Sequence, residues 1–411
     1  MRSLNRRTFL QFPALVAALA KARQSPERTK NVAAIVTIYT HNSHADVIVS
    51  RILQGLNLDN QPPYPALKLV SLYTDQLAPK DIGQALARKH DVRVSPTITD
   101  ALTLGGRDLA VDGVLLIGEH GNYPVSDTGQ VMYPRRRFFE ETVDVFRRTG
   151  RVVPVFTDKH LSWNWSDAKW MYDAAKKLRV PLMAGSSLPV TWRRPPADVQ
   201  RNSRLTEAVG ISYHTLDAYG FHALEVLQCL CERRRGGETG VAAVQCIDGP
   251  DAWRTGFDSQ LFEAAWSRRE RPGMSIDELR KRVPNPTAFV IEYHDGFRAT
   301  ILTLNPVNGN WAIAWKEDGQ TRSTLFWTQE ARPLGHFTFL LQGIEQMIHT
   351  RRPTWPAERT LLTTGMLDAL LTSKLRGGIR LETPHLKIKY RPTFQWEPPP
   401  DPVLGRPLDQ Q

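Results

Sequence analysis

The chain has 411 residues, of which 41% are hydrophobic, 23% charged and 9% aromatic, and it contains three cysteines. This composition excludes a collagen, a coiled coil, a wholly disordered chain and a disulfide-stapled miniprotein, and the length predicts two or three packed domains. The net charge of +11 includes four basic residues among the first 22. The remaining excess is scattered among acids with no recognisable nucleic-acid module, so we expect no nucleic-acid partner.

The first 22 residues contain the three parts of an export signal in order. Arg6 and Arg7 are followed by a short apolar stretch from Phe12 to Ala20 and by a small-residue cleavage site that ends at Ala22. This arrangement resembles a twin-arginine signal peptide, and the alternative is an accidental basic amphipathic start. We expect cleavage after Ala22 and a periplasmic or extracellular protein. We expect no membrane anchor after cleavage, because no later segment approaches the roughly 18 to 20 consecutive apolar residues that span a bilayer.

Short β-rich runs alternate with helix-period stretches between residues 31 and 195. The predicted strands are residues 32–39, 67–73, 92–94, 111–118, 151–157 and 180–187. Apolar residues recur at helical spacing between them, for example over residues 45–56 and 168–175. This alternation predicts an α/β domain with a doubly wound parallel, Rossmann-like sheet, whose ligands bind where the strands reach their carboxyl ends.

The pattern changes after about residue 195. Asp295-Gly296 and Asp318-Gly319 each lie between two alternating runs, which is typical of β-hairpins. Two helices are predicted to close this part of the chain, at residues 336–350 and 358–374. The domains we expect are the signal peptide 1–22, a Rossmann-like nucleotide-binding domain 31–195, an α+β domain 196–390 with an open antiparallel sheet, and a Pro-rich tail 391–411.

Four segments resemble, in order, those of the glucose-fructose oxidoreductase and inositol dehydrogenase family. Residues 155–185 place Asp158-Lys159-His160 where the family has the Glu-Lys-Pro of its EKP segment. Residues 110–118 are similar to the strand before that segment, residues 218–228 to the D-x-G-x-H-x-x-D helix start, and residues 358–378 to the closing helix. The resemblance covers most of residues 31–390.

The resemblance implies a dinucleotide-binding domain, an open-faced sheet domain, and oxidation of a sugar hydroxyl with NAD or NADP. It assigns Lys159 to polarising or deprotonating the hydroxyl from which hydride leaves, and His222 to sharing that proton. Asp217 stands one position before the family's aspartate, at Ala218, and is carried over as a third catalytic residue.

The turn after the first predicted strand departs from the family, because it reads YTHNSHADV and contains no glycine. Side chains in this turn would crowd a pyrophosphate, although an anion can still bind at the start of the following helix. Asp75 ends the second strand and matches the acid that takes the ribose hydroxyls of NAD, its alternative role being that of an ordinary turn residue. The predicted cofactor-binding residues are Thr40, Asn42, Asp75, Glu119 and Asp158.

The same edge supports a second interpretation, a metal site. Imidazole and carboxylate groups follow the first, fourth and fifth predicted strands and suit zinc or a similar divalent ion, although no HExxH motif is present. Such an ion would drive elimination, isomerisation or hydrolysis. The candidate metal ligands are His41, His44, Glu119, His120 and His160.

The sequence therefore predicts an exported oxidoreductase that acts on a hydroxyl of a sugar or sugar-derived molecule with a nicotinamide cofactor. The alternatives are a metal-dependent lyase, hydrolase or isomerase of carbohydrates on the same scaffold, and a non-catalytic sugar-binding relative. The expected partner is a small carbohydrate, bound near aromatic and arginine side chains. Self-association through the C-terminal sheet is a further expectation.

Overall fold

The structure is a computed structural model that describes residues 28–271 and 273–403. The predicted signal peptide and the end of the predicted tail lie outside these residues. Within the described part of the chain, no helix combines the length and the apolar character needed to cross a membrane.

The first half of the chain forms a six-stranded parallel sheet, in the order β3-β2-β1-β4-β5-β6. Its strands are β1 Lys30–Val36, β2 Leu67–Thr74, β3 Arg93–Val94, β4 Gly113–Ile117, β5 Val155–Asp158 and β6 Leu182–Gly185. This order reverses direction between β1 and β4, so it is a doubly wound sheet with a ligand crevice at the carboxyl ends of its strands. The predicted Rossmann-like fold is confirmed.

Five helices connect these strands, and three of them begin at a residue whose side chain caps the helix. They are α1 His44–Gln54, α2 Gly83–Lys89, α3 Ile98–Thr103, α4 Arg135–Thr149 and α5 Trp165–Leu178. The side chains of Ser43, Thr97 and Asn164 accept hydrogen bonds from backbone N–H groups at the starts of α1, α3 and α5. Strand β1 ends three residues earlier than predicted, because the chain turns and buries Tyr39, whose hydroxyl lies 2.8 Å from Ser50 Oγ.

The second sheet has eight strands in the order β14-β9-β10-β11-β8-β12-β13-β7. These are β7 Trp192–Arg194, β8 Leu205–Ser212, β9 Val241–Asp248, β10 Thr287–Tyr293, β11 Arg298–Thr303, β12 Trp311–Glu317, β13 Gln320–Trp327 and β14 Leu381–Glu382. The Asp-Gly turns connect β10 to β11 and β12 to β13, as predicted. The sheet is mixed rather than wholly antiparallel, because β8 and β11 pair in parallel.

Five further helices cover this sheet and join it to the first. They are α6 Ala218–Cys231, α7 Ser259–Trp266, α8 Ile276–Arg282, α9 His336–Thr350 and α10 Ala357–Leu375. Helices α6 and α10 pack on one face of the second sheet, and α7 and α8 pack on the other. Helix α9, from the second half of the chain, packs against α1 and β1 of the first half. Strand β7 precedes residue 195 but pairs with β13 of the second sheet. The two halves of the chain therefore interleave. This packing holds the start of α6 over the carboxyl edge of the parallel sheet. The three cysteines are buried and free.

Candidate active site

A buried ion-pair network lies at the carboxyl edge of the parallel sheet. Glu119, two residues after β4, accepts hydrogen bonds from Lys159 Nζ at 2.8 Å and from Arg135 Nη2 at 2.7 Å. Burial alone would raise the pKa of Glu119, but the positive charges of Lys159 and Arg135 outweigh it and hold that pKa well below its usual range. The pair is therefore ionised at neutral pH, and Lys159 carries an ammonium group at the predicted catalytic position.

A second pair joins the first helix to the end of β5. His44, the first residue of α1, has Nδ1 at 2.6 Å from Asp158 Oδ2, and the Asp158 side chain is almost wholly buried. The His44 ring also packs edge-on against Phe337 of α9 and lies 5.5 Å from the ring of His120. His44, a predicted metal ligand, and Asp158, a predicted cofactor-binding residue, both lie at the carboxyl edge as expected, but there they contact each other.

His222 reaches the same edge from α6. Its Nδ1 lies 2.6 Å from Ser186 Oγ, just after β6, and Ser186 Oγ also accepts a hydrogen bond from the backbone N–H of Leu188. Either the Ser186 hydroxyl or His222 Nδ1 can be the donor in this bond, because Ser186 Oγ has a second acceptor position besides the one that Leu188 uses. Burial, reinforced by the charge of Lys159, lowers the pKa of His222 well below its usual range. Lys159 donates to Glu119 and His222 pairs with Ser186, and no hydrogen bond joins the two predicted catalytic residues.

Asp217 lies beside this site and contacts a different histidine. Its carboxylate accepts a hydrogen bond from the backbone N–H of Val131 at 3.1 Å and lies 3.4 Å from Nε2 of the fully buried His160. The His160 ring stacks on Phe221 with the centroids 4.9 Å apart. These contacts hold the loop after β4 against α6.

The five candidate metal ligands do not form a metal site. Within residues 28–271 and 273–403, no group of three or more His, Cys, Asp or Glu side chains could hold a metal ion. The physical reason is that four of the five candidates lie beside other partners: His44 contacts Asp158, Glu119 contacts Lys159 and Arg135, His160 lies against Asp217, and His41 is largely exposed near Asp46.

The start of α1, where a dinucleotide's pyrophosphate binds in this fold, is filled by the chain itself. Asp46, in the first turn of α1 and 1% exposed, accepts hydrogen bonds from the Asn42 backbone N–H at 2.8 Å and from Ser50 Oγ at 2.6 Å. Arg332 Nη1 donates to the same carboxylate at 2.7 Å and to Asn42 Oδ1 at 3.0 Å. The backbone of Thr40 forms an isolated antiparallel β-bridge with that of Asp81. The turn thus presents a buried carboxylate where relatives of this fold receive phosphate.

Asp75, predicted to bind ribose, is also engaged. Its carboxylate accepts hydrogen bonds from the hydroxyls of Tyr73 and Tyr123, each at 2.8 Å, and from Arg137. Gln76 and Asn122 exchange two further hydrogen bonds, which fix the loop after β4 to the end of β2. A ribose hydroxyl would have to share this carboxylate with its three present partners.

The residues present therefore do not fit a nicotinamide dinucleotide in the usual mode of this fold. The observations are the glycine-free turn, the buried Asp46 carboxylate at the start of α1, and the occupied carboxylate of Asp75. The ionised and imidazole groups near Lys159 are compatible with a substrate hydroxyl, because Lys159 has N–H donors and His222 has a second ring nitrogen that can form a hydrogen bond.

Several solved structures have a similar fold, among them an inositol dehydrogenase and an NAD binding oxidoreductase. GenD2 from gentamicin A biosynthesis, in complex with NAD, matches with a TM-score of 0.56 and 14% identity over 86% of this chain and 96% of its own. Apo scyllo-inositol dehydrogenase from Lactobacillus casei matches with a TM-score of 0.54 and 12% identity, over 87% of this chain and 98% of its own. An NAD binding oxidoreductase from Klebsiella pneumoniae matches with a TM-score of 0.53 and 13% identity, over 86% of this chain and 99% of its own.

These similarities define a class of fold, a Rossmann-like domain joined to a large open sheet. The resemblance to the glucose-fructose oxidoreductase and inositol dehydrogenase family is confirmed at the level of the fold. No protein-family model matches the sequence, and no curated protein matches it.

Several residues of the site were not identified from the sequence. Ser186 follows β6 at the same edge as Lys159, so its position after a predicted strand was a usable signal. Asp46 and Arg332 gave no such signal, because 286 residues separate them and only tertiary packing brings them together.

Proposed function

We propose that the protein is an oxidoreductase that acts on a hydroxyl group of a sugar or sugar-derived molecule. The observation that carries the proposal is the buried ammonium of Lys159, held by Glu119 at the carboxyl edge and faced by His222 of the second domain. The names of the neighbours in fold, among them scyllo-inositol dehydrogenase, support a polyol or sugar substrate and oxidation as the reaction class.

The chain's own residues prepare the hydroxyl in three ways. Lys159 donates a hydrogen bond to the hydroxyl oxygen and stabilises negative charge there, while its contact with Glu119 holds Nζ at the edge of the sheet. His222, neutral because burial lowers its pKa, presents its second ring nitrogen to a neighbouring hydroxyl of the substrate. Packing of α6 over the edge excludes water from both groups, which strengthens these interactions.

Oxidation needs a hydride acceptor, and NAD or NADP is the proposed one because GenD2 and the Klebsiella protein bind NAD. In this chain a nicotinamide cofactor must bind without the usual contacts at the start of α1 and at Asp75. This disagreement favours a second candidate function, a redox-neutral isomerisation or elimination at the same hydroxyl that uses proton transfer alone.

One experiment separates the two candidates. The purified protein is incubated with NAD⁺ or NADP⁺ and, in turn, D-glucose, myo-inositol and a uronic acid, and nicotinamide reduction is followed by absorbance. A parallel incubation in D₂O without cofactor is followed by NMR for hydrogen exchange into the sugar. Reduction that is lost in Lys159→Met supports the oxidoreductase, and cofactor-independent exchange that is lost in the same variant supports the second candidate.

The matched control is Lys169→Met on the exposed face of α5, where Lys169 pairs with Asp173. This variant should keep full activity. Equal activity in Lys159→Met and the unaltered protein would contradict both candidates.

We also propose that the protein is exported by the twin-arginine route to the periplasm or beyond, and that it self-associates through its second sheet. The support for export is the order of Arg6-Arg7, apolar stretch and cleavage site. Changing both arginines to lysine should leave precursor in the cytoplasm, and intact mass should place the mature start near Arg23.

Light scattering of the purified protein tests the proposed self-association through the second sheet, and a monomer would refute it.

A further inference from the structure

We propose that His44, oriented by Asp158, accepts the proton of the substrate hydroxyl. This inference deepens the proposed function and rests on it, and it adds a catalytic residue from α1 to Lys159, His222 and Asp217, which the family resemblance supplied. Its basis is the juxtaposition of the His44–Asp158 pair and the Lys159–Glu119 pair at one edge of the sheet.

The geometry of His44 is that of an oriented base. Its Nδ1 donates to Asp158 Oδ2 at 2.6 Å, a short distance typical of a strong bond to a carboxylate. Donation from Nδ1 fixes the tautomer, so the lone pair lies on Nε2. The His44 side chain is 13% exposed while the Asp158 side chain is 1% exposed, so the imidazole is the more accessible partner of the pair.

Other groups at the edge are less able to take a proton. Lys159 is already an ammonium, because Glu119 beside it is ionised and fully paired. His222 has no carboxylate on its Nδ1, only the Ser186 hydroxyl, and burial penalises its cationic form. His160 is buried against Phe221 and Asp217, and only 1% of the residue is exposed.

The surroundings of His44 are defined on every side. Several titratable groups lie near His44 or have a pKa that its charge affects. They are Asp158 and Lys159 at the end of β5, Glu119 and His120 after β4, His222 of α6, and His336 of α9. Asp158 contacts it directly, and a carboxylate at that distance stabilises the imidazolium that proton transfer creates.

The proposed step is a proton transfer without change of oxidation state. The substrate O–H bond breaks, its proton bonds to His44 Nε2, and the electron pair stays on the oxygen. The resulting alkoxide is stabilised by the ammonium of Lys159, while the Nδ1–H of His44 stays on Asp158. Chemistry at the carbon that bears this oxygen, or at its neighbour, would follow as a separate step.

Turnover of the sugar found active in the panel tests the step. His44→Gln and His44→Ala should each lower kcat by about 10²- to 10⁴-fold, as expected for loss of a general base. Imidazole added to His44→Ala should restore part of kcat, which a purely structural role of His44 would not allow. His294→Gln, a change of an exposed histidine in the β10–β11 turn, should keep full activity.

A second measurement needs no substrate and keeps the inference testable if the proposed function fails. The Nδ1–H proton shared with Asp158 should give a low-field resonance in the proton NMR spectrum. It should disappear in His44→Gln and Asp158→Asn and persist in Ser186→Ala. Absence of this resonance, or normal kcat in His44→Gln, would overturn the inference. A present resonance with no activity on any sugar would instead refute the proposed function alone.

Discussion

Replacing Glu119 by glutamine tests whether the negative charge of Glu119 stabilises the ion-pair network at the carboxyl edge of the parallel sheet. The Glu119 side chain is 5% exposed, and its two oxygens face Lys159 and Arg135 separately. Glu119→Gln keeps the shape but leaves two buried cations without a counter-charge. Removing one partner of a buried ion pair costs about 3 to 5 kcal/mol. For a chain of this length, that cost corresponds to a fall in Tm of about 3 to 6 °C.

The sign of the pH dependence gives this prediction a second check. The pKa of Glu119 is lower in the folded protein than in the unfolded chain, so its stabilisation is present above the unfolded value of about 4.3 and is lost as pH falls through the folded value. The Tm difference between the variant and the unaltered protein should therefore be full at pH 7 and shrink in acid.

Differential scanning calorimetry at pH 7 and pH 4 measures both effects. Asp173→Asn removes a carboxylate from an exposed pair with Lys169 and should leave Tm within about 1 °C. If Glu119→Gln also changes Tm by no more than this control, the two cations do not depend on the Glu119 charge and the assignment of Lys159 as a fixed ammonium is wrong.

Three further predictions concern other buried groups. Burial lowers the pKa of His336 to about 3, so below about pH 6.5 the unfolded chain binds a proton that the folded chain does not. Stability should therefore fall as the pH drops from about 6.5 towards 3, and His336→Gln should flatten the curve of Tm against pH. Burial raises the thiol pKa of Cys229 and Cys246 to about 12, so both should resist alkylation until the protein unfolds, as mass spectrometry would show. Arg332→Ala should lower Tm by several degrees in a thermal-shift assay, because it leaves the buried carboxylate of Asp46 unpaired, and Arg332→Lys should recover only part of that loss.

The architecture of the parallel sheet was predictable because its signals are local. Buried β-rich runs alternate with helical stripes, and side chains such as Ser43 and Asn164 cap the helices that follow. The Asp-Gly turns likewise define their hairpins within a few residues. By contrast, the parallel pairing of β8 with β11 joins segments about 90 residues apart, and no local pattern in either strand specifies it.

The site was predictable in position but not in pairing. Strand order alone brings the residues after β1, β4 and β5 to one edge, so His44, Glu119 and Asp158 were all placed there. Which of them contact each other depends on side-chain reach and on neighbours from distant segments. Glu119 pairs with Lys159 and Arg135 instead of a metal ion; the sequence placed Arg135 near this edge but did not predict its contact with Glu119.

The charges at this edge also bear on what kind of ligand it can hold. A diphosphate at the start of α1 would lie near the buried carboxylate of Asp46, and Arg332 could neutralise the phosphate only by releasing that carboxylate. Binding of a dinucleotide there is therefore linked to the stability of the turn, so gains at one contact are offset by losses at the other. A neutral polyol meets no such conflict, because Lys159 and His44 are already paired with their own carboxylates and still have donor or acceptor positions open. The electrostatics of the edge thus agree with the uncharged, hydroxyl-rich ligand of the proposed function.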